Sequence, residues 1–181
     1  FFYIEGIYEN EGASDVCLRS QAYWSILGGS SGHVFGNNPI WPFTGPSWQQ
    51  ALNSTGAQSM ANAGALFRSR AWQTLVPDYL HQVVTAGYGD INNATYVPAA
   101  RAGDGSVAIA YLPAGGTITV DMSRLSRSAN ARWYDPAAGT FTSIAGSPFA
   151  NTGSRNFTVA RATSTSHQSR FERPGRTDSG L

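Results

Sequence analysis

Near Pro77 the apolar residues of this chain change their spacing, and that change limits what can form on either side of it. Before it, short apolar runs alternate with stripes at helical spacing, a strand, helix, strand, helix rhythm that belongs to a doubly wound sheet or an α/β barrel. After it, apolar and polar residues alternate with a period of two between glycine-rich turns, which predicts an antiparallel β unit. We expect three segments: residues 1–80 as two βα units, 81–159 as a small β-sandwich, and 160–181 as a Ser-, Thr- and Arg-rich tail, disordered or aberrant, without apolar period.

In the first segment, Phe1-Phe2-Tyr3-Ile4 reads as a buried strand that ends at Glu5. Ser14 is an N-cap candidate for a helix over residues 15–27 with Val16, Ala22, Tyr23, Ile26 and Leu27 on its apolar face, and Gly28-Gly29 offers a left-handed exit. Gly32-His33-Val34-Phe35-Gly36 reads as a second buried strand. A second helix is predicted over residues 56–75, with Met60, Ala63, Leu66, Phe67 and Leu75 as its stripe and Pro77 closing it. Two such units cannot close a barrel, and nothing precedes the first strand that could pair with it. The expectation is therefore a fragment. Beyond Pro77, strands are predicted at 96–98, 106–112, 117–120, 129–134 and 140–144, with hairpin turns at Asp104-Gly105, at Ala114-Gly115-Gly116 and over 135–139.

Composition narrows the function classes. The net charge is +1, and all twelve basic residues are Arg, five of them within the last 27 positions, so the remainder carries no basic surface for nucleic acid. No apolar stretch approaches the ~18 residues of a membrane span. Cys17 is the single cysteine, which excludes an intrachain disulfide and predicts a small buried hydrophobe. Neither His81 nor His167 has metal-ligand neighbours in sequence, so no metal is expected. Gly28-Gly29-Ser30-Ser31-Gly32 lacks the Lys and the following helix of a phosphate loop, so no nucleotide is expected.

A carboxylate at the carboxyl end of a strand, as Glu5 is, stands where barrel enzymes carry their chemistry. Read in order, Ile4-Glu5-Gly6-Ile7-Tyr8-Glu9, Arg19-Ser20-Gln21-Ala22-Tyr23-Trp24-Ser25, Gly32-His33-Val34-Phe35-Gly36-Asn37, Ile40-Trp41 and Trp133-Tyr134-Asp135-Pro136-Ala137-Ala138-Gly139 resemble the apiosidase-like glycoside hydrolases. The resemblance covers residues 1–155. It implies an α/β plus all-β architecture, the C-terminal part of a (β/α)8 TIM barrel followed by an antiparallel β-sandwich that carries a collagen-binding label in that family. It also implies hydrolysis of O-glycosidic bonds in plant cell-wall or related glycans, with Glu5 as nucleophile and an Asp from an earlier strand, outside these residues, as acid/base. On that reading the 181 residues alone are inactive, and no cofactor is needed.

Glycosidases use two carboxyl groups, ~5 Å apart for retention or ~6.5–9.5 Å for inversion. Glu9 lies four residues past Glu5, where the two diverge, so it is expected to hold Arg19 in an ion pair rather than to be the second catalytic group. Tyr8, His33, Asn37 and Trp41 are the candidates for the substrate-binding surface: a hydroxyl beside the nucleophile, an imidazole near a strand, and an amide next to an aromatic platform. Each also has a structural reading, as packed aromatics, a core imidazole or a cap over the barrel mouth. The Trp133–Asp135 cluster is expected to pack a strand end, with Asp135 capping a turn. The partner is then a glycan and the location periplasmic or secreted. The alternative is a non-catalytic carbohydrate-binding, structural or adhesion module in which Glu5 is a rim carboxylate.

Overall fold

The computed structural model of the protein describes residues 9, 12–43 and 45–159. The first strand, Glu5, Tyr8 and the 160–181 tail lie outside them. Helix α1 (Asp15–Leu27) starts where expected. The Ser14 hydroxyl accepts the Cys17 amide at 3.3 Å, and Asp15 lies in the first turn, favourable to the helix dipole. Helix α2 (Ser47–Ala51) is a single short turn, and α3 (Thr55–Arg68) is capped by Ser54, whose hydroxyl accepts the Ala57 amide at 3.2 Å.

The buried faces differ from the expected stripes. On α1, Leu18, Ser20, Ala22, Tyr23, Ser25 and Leu27 are buried, whereas Val16 is 42% exposed. Ser20 is tolerated inside because its hydroxyl bonds the Tyr111 hydroxyl at 3.3 Å. Cys17 is half-buried rather than in the core, and it accepts a contact from Gln21 Nε2 at 3.5 Å. Helix α3 ends at Arg68, seven residues before the expected end. Residues 72–74 form a 3₁₀ turn, and Leu75–Pro77 is a strand, β1. Helical spacing thus continues past the true end because Trp72 and Leu75 pack against the same core from non-helical backbone. The segment at 32–36 also differs from a buried strand. Val34 is 50% exposed although it lies in a β-bridge, and Asn37, one residue beyond the segment, forms a parallel bridge with Glu9.

The remaining strands are β2 (Val84–Ala86), β3 (Ala99–Ala102), β4 (Ala108–Ala110), β5 (Gly116–Asp121), β6 (Arg132–Asp135), β7 (Thr140–Ser143) and β8 (Ser154–Val159). They form two three-stranded antiparallel sheets, β1-β3-β4 and β2-β5-β8, and a β6-β7 hairpin. The turns at 103–107 and 136–139 are hairpins as expected. The turn at 114–116 is not, because β4 and β5 belong to different sheets. The final strand that the alternation did not reveal is β8, which pairs with β5 along all six of its residues. Ser154, Arg155, Asn156 and Thr158 are exposed, Phe157 is buried and Val159 half-buried, so its apolar signal is only two residues long.

Strand β3 shows how the layers are held. Side chains alternate across a sheet, and here Ala100 enters a cluster with Tyr23, Leu27, Ala63, Leu66, Phe67 and Tyr111, while Ala99 enters one with Val84, Val97, Ile118, Met122, Phe149 and Phe157. The first sheet therefore lies between the helices on one side and the second sheet on the other. Alanine on both faces lets both layers approach. The helices and the β region share a core, and polar contacts reinforce it: Trp24 Nε1 donates to the Tyr96 carbonyl at 3.1 Å, Tyr134 Oη to the Asn62 carbonyl at 2.9 Å, and Tyr79 Oη to the Gly28 carbonyl at 2.5 Å.

Candidate functional site

Residue 9 joins three segments. Its backbone forms the parallel bridge, with its N–H on the Gly36 carbonyl at 3.1 Å and its own carbonyl accepting the Asn38 amide at 3.4 Å. The two segments thus run parallel where they meet. The Glu9 side chain is buried, 9% exposed, and it does not meet Arg19. Its Oε2 accepts Asn37 Nδ2 at 2.9 Å and the Ser54 hydroxyl at 2.5 Å, and its Oε1 accepts the Gly56 amide at 3.0 Å. The expected ion pair is replaced by an anion seated on the first turn of α3, where free amides and the helix dipole favour it. Arg19 reaches the Ser59 hydroxyl instead, at 3.4 Å.

Asn37 is 2% exposed, and its amide nitrogen serves both Glu9 and Ser54, the latter at 3.2 Å. Its carbonyl accepts the Ile40 amide at 2.9 Å and the Trp41 amide at 3.3 Å, which turns the chain so that Trp41 follows directly from the strand end. Trp41 is 65% exposed, and so is Phe43 at 66%, with the Phe43 ring edge-on to Trp48 at 5.3 Å. Phe43 sits at φ 52°, a left-handed conformation that is uncommon for a bulky side chain. His33 is half-buried, its Nδ1 has no hydrogen-bond partner, and burial holds its pKa below the usual imidazole value, so the ring is neutral at pH 7. The structure thus brings Asn37 and Trp41 together, leaves His33 unsatisfied on the preceding stretch, and does not describe Glu5 or Tyr8.

Ser54, Gly56 and Phe43 are participants the sequence did not single out. A Ser before a helix followed two residues on by Gly was the available signal for the first two. For Phe43 there was none beyond its place among loop aromatics. Among the described residues no group of three His, Cys, Asp or Glu is arranged to hold a metal ion, and no helix is long and apolar enough to cross a membrane.

The fold is similar to that of solved glycoside hydrolases. One solved structure, described as a glycoside hydrolase, superposes with a TM-score of 0.70 at 27% identity over 87% of this chain. A family 5 glycoside hydrolase from Bacteroides vulgatus ATCC 8482 gives 0.69 at 25% identity over 87%. The chain spans 36% of the length of each. No curated protein matches it. Residues 4–74 match the family model described as the apiosidase-like catalytic domain, and residues 76–169 the one described as "Putative collagen-binding domain of a collagenase". The second match spans more than half of the chain, so the chain belongs to the family described by that collagen-binding-domain model, and the stretch in front of it is similar to the apiosidase-like catalytic domain.

Proposed function

We propose that these residues are the C-terminal portion of a (β/α)8 glycosidase that cleaves O-glycosidic bonds in plant cell-wall or related glycans, followed by a β-sandwich accessory unit. The match of residues 4–74 to the apiosidase-like catalytic domain carries this reading, and the parallel bridge between Glu9 and Asn37 supports it, since neighbouring barrel strands run parallel. Glu5 is the nucleophile in this reading. Its partner carboxyl group, which protonates the leaving oxygen, comes from chain beyond these residues. Tyr8, the neutral His33 imidazole and the exposed Trp41 line the sugar site, Trp41 by stacking on a pyranose or furanose face. Asn37 serves it from beneath, through the turn that sets Trp41 in place. No cofactor enters the chemistry. A glycan substrate of this kind places the protein outside the cytoplasm, secreted or periplasmic.

The test is a full-length protein containing this chain, assayed on aryl glycosides and plant-wall oligosaccharides. Glu5→Gln should lower kcat by on the order of 10³-fold or more with little change in Tm, because a side chain kept for chemistry contributes little to folding. Retained hydrolysis would remove Glu5 from the mechanism.

A further inference from the structure

We infer that Glu9 is a positioning residue for the catalytic carboxylate, acting through the first turn of α3 and not through the substrate; this rests on the glycosidase reading above. Both Glu9 oxygens are already engaged. All three side-chain partners are donors: an amide N–H from Asn37, the hydroxyl of Ser54 and the backbone N–H of Gly56. The Ser54 hydroxyl in turn accepts from Asn37 and from the Ala57 amide, so it has one proton to give and gives it to Glu9. Such a set of donors is complementary to a carboxylate, and among the described residues no cation touches it. At 9% exposure the group is not placed to meet a sugar.

Gly56 provides a second, independent observation. A Cβ at this position would lie 2.5 Å from Glu9 Oε2 and 2.7 Å from its Cδ, with Leu18 Cδ1 at 3.0 Å on the other side. The helix start is thus shaped around the carboxylate. Because the Glu9 backbone is also bridged to Asn37, both the main chain and the side chain of residue 9 are held. Residue 9 is four positions past Glu5 along the chain, at most about 14 Å of extended backbone, so holding it restrains where the nucleophile can stand. It also fixes the turn that presents Trp41, since Asn37 is the shared partner. A displacement of about 1 Å at a reacting group can cost on the order of 100-fold in rate.

The experiment uses the full-length enzyme with three single variants, Glu5→Gln, Glu9→Gln and Gly56→Ala, measuring kcat, KM, Tm and hydrogen exchange of the peptide spanning residues 1–9. Glu9→Gln sets a fourth donor against three, and Gly56→Ala pushes an intact carboxylate off its seat. Both should lower kcat by about 10- to 100-fold, keep KM within about threefold and speed exchange in residues 1–9. Should Glu9→Gln fail to fold, Gly56→Ala decides alone. A lowered Tm with kcat at 25 °C unchanged in the folded variants would reduce Glu9 to a helix cap and overturn the inference. A raised KM with unchanged kcat would make it a substrate contact and also overturn it. If Glu5→Gln is inactive while Glu9→Gln and Gly56→Ala keep full kcat, only this inference fails. Retained activity in Glu5→Gln overturns the nucleophile assignment and this inference together.

Discussion

Phe67 tests whether the helices and the β region are one folding unit. Its ring is 3% exposed and lies 5.5 Å from that of Tyr23, which stacks at 4.5 Å on Tyr111 from the β region. Phe67→Ala removes a buried aromatic from a cluster filled from both sides, where collapse is limited by the two packed layers. The loss should be about 3–5 kcal/mol. For a chain of this size a kcal/mol corresponds to about 2–4 °C, giving a fall in Tm of about 6–20 °C. Because β3 presents Ala100 to that cluster and Ala99 to the cluster of the second sheet, the damage should spread beyond the helices. Urea unfolding of the chain followed by Trp fluorescence, alongside hydrogen exchange of the β5 and β8 amides, should show both signals shifting together, while Leu52→Ala at a 52% exposed site shifts neither by more than about 0.5 kcal/mol. If β5 and β8 keep wild-type protection while the helices open, the shared core is refuted.

Three further outcomes are expected. Burial lowers the His33 pKa from 6.5, so its contribution to stability is complete above about pH 6.5 and is lost as pH falls toward the folded value; the decline of Tm over that window should flatten in His33→Phe, and an unchanged slope would acquit His33. Gly87→Ala places a Cβ against the Thr117 carbonyl at a backbone φ of 79°, next to the β2–β5 pairing, and should destabilise by at least about 1–3 kcal/mol in urea titration; a neutral result would contradict that register. Burial raises the Cys17 thiol pKa above 9.0, so its labelling by a disulfide reagent at pH 7 should be slower than that of free cysteine, and equal rates would show the thiol to be exposed.

The sequence made helix α1 legible through the Ser14 cap and an apolar stripe, and α3 through its stripe alone, since the Ser54 cap went unread. The end of α3 was obscured, since Leu75 keeps the helical spacing while belonging to a strand. Strand β3, Ala99–Ala102, has almost no β signal: its residues are small because two layers close on them, and propensity cannot see that demand. The 136–139 hairpin was readable from Asp135, whose carboxylate accepts the Ala137 and Ala138 amides at 2.8 and 3.1 Å. In the site, the adjacency of Asn37 and Trp41 followed from their spacing. The seat of Glu9 did not, because Arg19 offered a plausible partner by charge alone, whereas the actual partners are 28, 45 and 47 residues away and neutral.

The hairpin tip meets α3 through one amide. Asn62 Nδ2 donates to the carbonyls of Pro136 and Ala137 at 3.3 and 2.9 Å, and a methyl group on Gly139 would lie 2.6 Å from Asn62 Oδ1. Recombining this C-terminal unit with a foreign catalytic body would therefore demand more than a compatible linker. The recipient must offer an asparagine-like fork on the helix surface, and the donor must keep its bare α-carbon opposite, so that evolutionary exchange of the two pieces is confined to lineages that already share this plug and socket.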